Sequence, residues 1–136
     1  MNSFLKRIGT AYLPVSNVGA SSKWYQEHLD AIENFRSDDK AILAFANQSF
    51  FLIKSQEGQN LQFLDNSGKQ HCPFTFEVDG MDQLRKFHHY LINAGISVGK
   101  IEDRGHPGYN FVFYDPDGNA FDVWSELSPD FNMRYD

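Results

Sequence analysis

Apolar and polar positions change period several times along the chain, and each change marks an element. Over residues 10–15, Ala11, Leu13 and Val15 alternate with Thr10, Tyr12 and Pro14, the period of two that defines a strand. Pro14 has no N–H to give and suits a strand edge or end. Ser16 or Asn17 then predicts the N-cap of a helix of about a dozen residues reaching Leu29, with Val18, Ser21, Tyr25 and Leu29 towards the core. Residues 31–40 read as a polar connection, and residues 41–46 and 49–55 as two strands turned at Asn47-Gln48. The stretches QEGQN and NSGK are loop signals, with the short apolar run 61–64 a further strand between them and Ser67-Gly68-Lys69 the best internal boundary.

From His71 the pattern starts again. Cys72, Phe74, Phe76 and Val78 alternate with His71, Pro73, Thr75 and Glu77, which predicts a strand with Cys72 turned to the helix side as a small buried residue. Asp79 is placed to cap a helix in which Leu84, Phe87, His88 and Leu91 follow helical spacing, and Gly95 supplies its stop. Ile96, Val98 and Ile101 alternate, a Gly-containing loop DRGHPGY follows, and residues 109–114 and 119–125 predict a hairpin about a P-D-G turn. The order strand, helix, several strands therefore occurs twice. An offset of about 63 lays Leu13 on Phe76, and one of about 70 lays Phe51-Leu52-Ile53 on Phe121-Asp122-Val123. This predicts one α+β domain of two modules, about 8–64 and about 70–127, with a polar tail over 128–136.

The stretch FYDPDGNAFDVWSE admits a competing reading. Asp115, Asp117, Asn119 and Glu126 fall at positions 1, 3, 5 and 12 of a calcium loop. Such a loop needs Gly at its sixth position, where Ala120 stands, and an apolar residue at its eighth, where Asp122 stands. It should also join two helices, whereas NFVFY before it is strand-like. Asp115, Asp117 and Asn119 are better read as turn chemistry, and strand parity then sets Ala120, Asp122 and Trp124 opposite Phe121 and Val123.

Composition narrows the partners. A formal charge of −6 argues against nucleic acid and anionic membranes, since neither finds a basic stripe to bind. The 13 Phe, 6 Tyr and 2 Trp suit sheets or an aromatic-lined cavity. The single cysteine cannot form an internal disulfide, and the chain shows no apolar leader or spanning segment, so a reducing cytoplasm is expected. No Ser-His-Asp order, phosphate loop or CxxC pair supports a hydrolase, nucleotide-binding or redox role.

LPVSNVGASSKWYQEHLD near the start and FYDPDGNAFDVWSE near the end resemble the glyoxalase, bleomycin-resistance and extradiol-dioxygenase superfamily, the vicinal oxygen chelate proteins. That resemblance implies paired βαβββ modules whose sheets curl into a cup with helices outside, and often a homodimer. It also implies metal ligands on the first and last strand of each module in the metal-dependent members. Carried across residue by residue, these positions fall on Thr10, Leu52, Pro73 and Asp122. Only Asp122 is a good ligand, and one carboxylate does not hold a catalytic ion that needs about three protein ligands. The expectation is thus no metal cofactor.

If the cup forms, parity gathers Thr10, Tyr12, Phe50, Leu52 and Lys54 on its inner face, with His71, Thr75, Asp122 and Trp124 from the second module. His106, in the DRGHPGY loop, joins them as a loop residue placed to contact ligand. The plain alternative is that these side chains fill a collapsed barrel, with Lys54 and Asp122 a structural ion pair. His88 reads as a satisfied core histidine and His89 as solvent-facing. The function expected is binding of a small organic molecule in an aromatic cup, where net acidity suits a cation. Two alternatives stand beside it: a lyase or dioxygenase with Asp122 as catalytic base or with a displaced metal site near His71, Asp122 and His106, and a protein-interaction module.

Overall fold

Asn17 caps the first helix in the computed structural model, which describes residues 4–129. Its extended backbone lets the side-chain Oδ1 accept the Ala20 N–H at 2.9 Å, one of the donors a helix start leaves unpaired. Helix α1 (Val18–Leu29) follows β1 (Thr10–Val15), and β2 (Ile32–Arg36), β3 (Lys40–Phe45) and β4 (Gln48–Lys54) complete a first compact unit that ends at Asn60. Its sheet has the order β1-β4-β3-β2, with β1 parallel to β4 and the other pairs antiparallel. The β3–β4 turn sits at Ala46-Asn47, both at positive φ, one residue earlier than the sequence suggested.

Strand β2 replaces the expected polar connection over residues 31–40. It is an edge strand, mostly exposed, with a register irregularity between Glu33 and Phe35. Its tie to the helix layer is polar, Ser22 Oγ donating to Glu33 Oε2, and its apolar side chains stay exposed, so no apolar alternation announces it. The core of this unit lies between sheet and α1. Leu13, Leu43 and Leu52 are fully buried, and Tyr25 from α1 meets Phe45, which stacks on Phe50 at 4.3 Å.

The second unit, from Leu61, holds β5 (Phe63–Leu64) and β6 (Gln70–His71) as a small antiparallel ribbon, then β7 (Thr75–Glu77), α2 (Met81–Asn93), β8 (Asn110–Tyr114) and β9 (Ala120–Trp124). Strands β7-β9-β8 repeat the first unit's arrangement, the opening strand parallel to the closing one. Val98 and Glu102 add isolated bridges to β8, a fourth strand in fragments. Both sheets are open, and the α+β fold class stands.

Three local readings are corrected in this unit. Helix α2 is preceded by Gly80 at φ 97° with no side-chain cap, so Asp79 does not fill that role. The opening strand is shorter than residues 71–78, because His71 pairs with Phe63 in the ribbon and Cys72 lies between strands. Parity therefore does not carry across Cys72, which lines a cavity beside His71. The end of α2 is as expected, with Gly95 at φ 76° and the Ile96 N–H bonded back to the Leu91 carbonyl at 3.0 Å, the reversal that left-handed glycine permits. Leu84 and Leu91 are buried, Phe87 packs on Phe111 and Phe113, and half-buried His88 packs edge-on against Phe111 while its Nε2 donates to the Gly99 carbonyl at 2.8 Å. Among the described residues no helix is long and apolar enough to cross a membrane. The tail from 130 lies outside the described residues.

Candidate functional site

The P-D-G turn behaves as turn chemistry. Asp115 is buried, and its Oδ1 accepts the N–H groups of Asp117 and Asn119 at 2.9 Å each, while its Oδ2 accepts Asn119 Nδ2 at 2.8 Å. Gln62 closes the turn from outside: its Nε2 donates to the Gly118 carbonyl at 2.7 Å and its Oε1 accepts the Ala120 N–H at 3.1 Å. Nothing in the sequence around Gln62 marks it for this, because its partners lie more than fifty residues away.

The turn delivers β9, and β9 delivers Asp122. Register places Asp122 opposite Thr75 on β7 and Val112 on β8, so all three share a face. Thr75 Oγ1 donates to Asp122 Oδ2 at 3.0 Å, and Asn110 Nδ2 donates to the same oxygen at 2.9 Å. Arg104 Nη1 stands 3.1 Å from Oδ1, with its Nη2 at 3.1 Å from Glu102 Oε1. The Arg104 contact is an ion pair without hydrogen-bond alignment, because Oδ1 is buried and makes no hydrogen bond. Asp122 itself is only 7% exposed, and a carboxylate at that depth needs such compensation. The cation that meets it is Arg104.

All of these but Asn110 line a cavity of about 540 Å³, together with Lys69, Gln70, His71 and Cys72. His71 is engaged on its own ribbon: its Nε2 lies 2.8 Å from Asp65 Oδ2, and its ring stacks on Phe63 at 5.6 Å. Hydrogen bonding from His71, then from the Lys69 and Ser67 backbone, lowers the Asp65 carboxyl to about 2. Burial, then the nearby Asp122 charge, pushes the Cys72 thiol up, which keeps it a protonated wall group rather than a nucleophile. Trp124 shares the face of Asp122 but gives its Nε1 proton to the Pro107 carbonyl at 2.8 Å, and His106 packs edge-on against it at 6.0 Å. His106 is not among the residues lining the Asp122 cavity.

The first-unit residues separate into two faces. Tyr12 pairs with Phe51 and Leu13 with Leu52, so Tyr12 and Thr10 share a face with Phe51, the Tyr12 and Phe51 rings 5.2 Å apart. Phe50 and Leu52 stand on the other face, buried against α1, and do not join Tyr12 as parity suggested. Lys54 pairs with Val15 and lines a hollow at the start of α1 with Arg36. Because β7–β9 sets Thr75 against Asp122 just as β1–β4 sets Tyr12 against Phe51, Phe51 and not Leu52 is the counterpart of Asp122. The repeat offset taken from the sequence was one residue short there.

A family model described as the glyoxalase/bleomycin resistance protein/dioxygenase superfamily matches residues 7–123. The chain belongs to this superfamily. Among solved structures, superfamily likeness extends to lactoylglutathione lyase from Agrobacterium tumefaciens, with 15% identity, 90% of this chain and 96% of that one covered, and a TM-score of 0.71. The fosfomycin resistance protein FosX from Listeria monocytogenes, complexed with Mn(II) and sulfate, is 16% identical over the whole of both chains with a TM-score of 0.71. A glyoxylase/bleomycin resistance protein/dioxygenase domain from Frankia sp. EAN1pec is 23% identical, covering 90% and 99%, with a TM-score of 0.70. At these identities the likeness carries the fold. No curated protein matches the sequence.

Metal-dependent members of the superfamily raise the question of a divalent ion at Asp122, and the residues present do not fit one. Its partners are a hydroxyl, an amide and a guanidinium, and the last is itself a cation. His71 is turned to Asp65. Among the described residues no group of three or more His, Cys, Asp and Glu side chains is placed to hold an ion, and about three protein ligands are the usual requirement.

Proposed function

We propose that this chain is a small-molecule-binding member of its superfamily that works without a catalytic divalent metal and takes its ligand at the Asp122 cavity. The observation that carries the reading is the Arg104 guanidinium beside the Asp122 carboxylate. A metal ion would have to expel that cation and would find two carboxylates, Asp122 and Glu102, in return, short of the roughly three protein ligands a catalytic ion usually needs. The cavity size falls within the range usual for small organic ligands, about 300–1,000 Å³, and its wall of Thr75, Val112, Asp122 and Arg104 combines an apolar contact with convergent polar groups. The setting expected with this reading is the cytoplasm and the state a homodimer; sedimentation equilibrium checks the dimer, and a monomer mass would remove that part.

Elemental analysis after dialysis against manganese, zinc, nickel and iron tests the reading. The expected result is far less than one equivalent of any of them. An NMR titration with a panel of small organic ions and neutral aromatics is expected to shift resonances of Cys72, Thr75 and Val112 together. Stoichiometric metal that disappears in Asp122→Asn would overturn the metal-free reading in favour of a lyase or dioxygenase.

A further inference from the structure

Resting on the reading that this cavity is the binding site, we infer that Arg104 is its internal occupant: the guanidinium stands where the planar cation of an organic ligand, an amidinium or guanidinium, is taken up between Asp122 and Glu102. One fork spans two acids, Nη1 at 3.1 Å from Asp122 and Nη2 at 3.1 Å from Glu102, a pattern that a planar cation with two N–H groups reproduces. The internal fit is imperfect. Asp122 is more than nine-tenths buried, yet its Oδ1, the oxygen facing Arg104, makes no hydrogen bond. The other oxygen is fully used by Thr75 and Asn110, which fix the carboxylate plane. A group not tethered to the chain is free to align on Oδ1, which Arg104 in this pose meets as an ion pair only.

Only the Arg104 side chain has to move. Glu102 is pinned to β8 by a reciprocal backbone pair with Asn110, at 2.7 and 3.0 Å. Behind Arg104 the loop is fastened by Trp124 to Pro107 and by the Tyr109 N–H to Ser125 Oγ at 2.8 Å. Arg104 itself retains 35% side-chain exposure, so a rotamer change carries its head to water. An anionic ligand is the weaker match. It would meet two carboxylates flanking the guanidinium, and the unmet buried atom is an acceptor that calls for a donor.

Displacement of an internal competitor lowers apparent affinity by the fraction of time the site stands open. Calorimetry and NMR on the full chain with benzamidine, its neutral counterpart benzamide and the anion benzoate test this. Benzamidine is expected to bind Arg104→Gln at least about tenfold more tightly than the parent chain, to lose affinity in Asp122→Asn, and to be matched by neither other probe. Should Asp122→Asn not fold, Glu102→Gln carries the same arm, with weakened benzamidine binding expected. Equal benzamidine affinity with and without Arg104 would overturn the inference. Cavity shifts from benzoate or benzamide but not benzamidine would overturn it as well, while leaving the cavity a binding site. No shift from any probe in any folded variant counts against both readings.

Discussion

At the scale of single residues, the chemistry is decided by who reaches each carboxylate. Asp115 spends both oxygens on its own turn, Asp65 meets His71, and Asp122 meets Thr75, Asn110 and Arg104. The aspartates at 115 and 122 sit in one short stretch of sequence, yet one holds a turn and the other faces a cavity, because Asp115 lies in the turn before β9 and Asp122 on β9 itself, opposite Thr75. Asp65 offers a direct test. Its carboxyl is lowered from 3.8 to about 2, first by His71, so its ionised form favours the folded ribbon. That contribution is present above the unfolded value and is lost as pH falls through about 2. His71→Ala should bring the Asp65 midpoint, followed by carboxyl NMR, back up towards 3.8, and an unmoved midpoint would assign the shift to the backbone donors instead.

At the scale of elements, the helices were legible and the edges were not. Helix α1 follows its sequence signals because cap and apolar spacing act within a few residues. Strand β2 escaped because it buries no apolar face, and the alternation read at Ile96, Val98 and Ile101 yields only isolated bridges at Val98 and Glu102. The loop over residues 103–109 shows a tighter constraint. Gly108 lies at φ 77°, and a Cβ there would come within 2.7 Å of Ser125 Oγ and 2.8 Å of Trp124 Nε1. Gly108→Ala therefore combines left-handed strain with a clash against the closing strand, and a loss on the order of 2 kcal/mol is expected in urea denaturation. A change under about 0.5 kcal/mol would show that the loop shifts aside cheaply. Gly118, whose Cβ would meet nothing within 4 Å, is the control for φ strain alone.

At the scale of the molecule, net charge sets what the chain meets. At −6 with a pI near 5.2, the protein should pass through heparin at physiological ionic strength and be held by an anion exchanger until salt screens it. Retention on heparin would mean a basic surface that composition hides. The sequence by itself determined the α+β class, the doubled order of elements and the turn role of Asp115, which rest on period, caps and short-range bonding, while the superfamily was legible only through the resemblance of its two end motifs. Tertiary structure decided which face each strand shows and which distant groups meet there. A register difference of one residue exchanges the two faces of a strand, so Phe50 and Leu52 moved into the core and Phe51 took their expected place. The FYDPDGNAFDVWSE stretch named Asp122, but only folding could bring Arg104, Glu102 and Asn110 to it, since strand pairing joins residues that the sequence keeps apart.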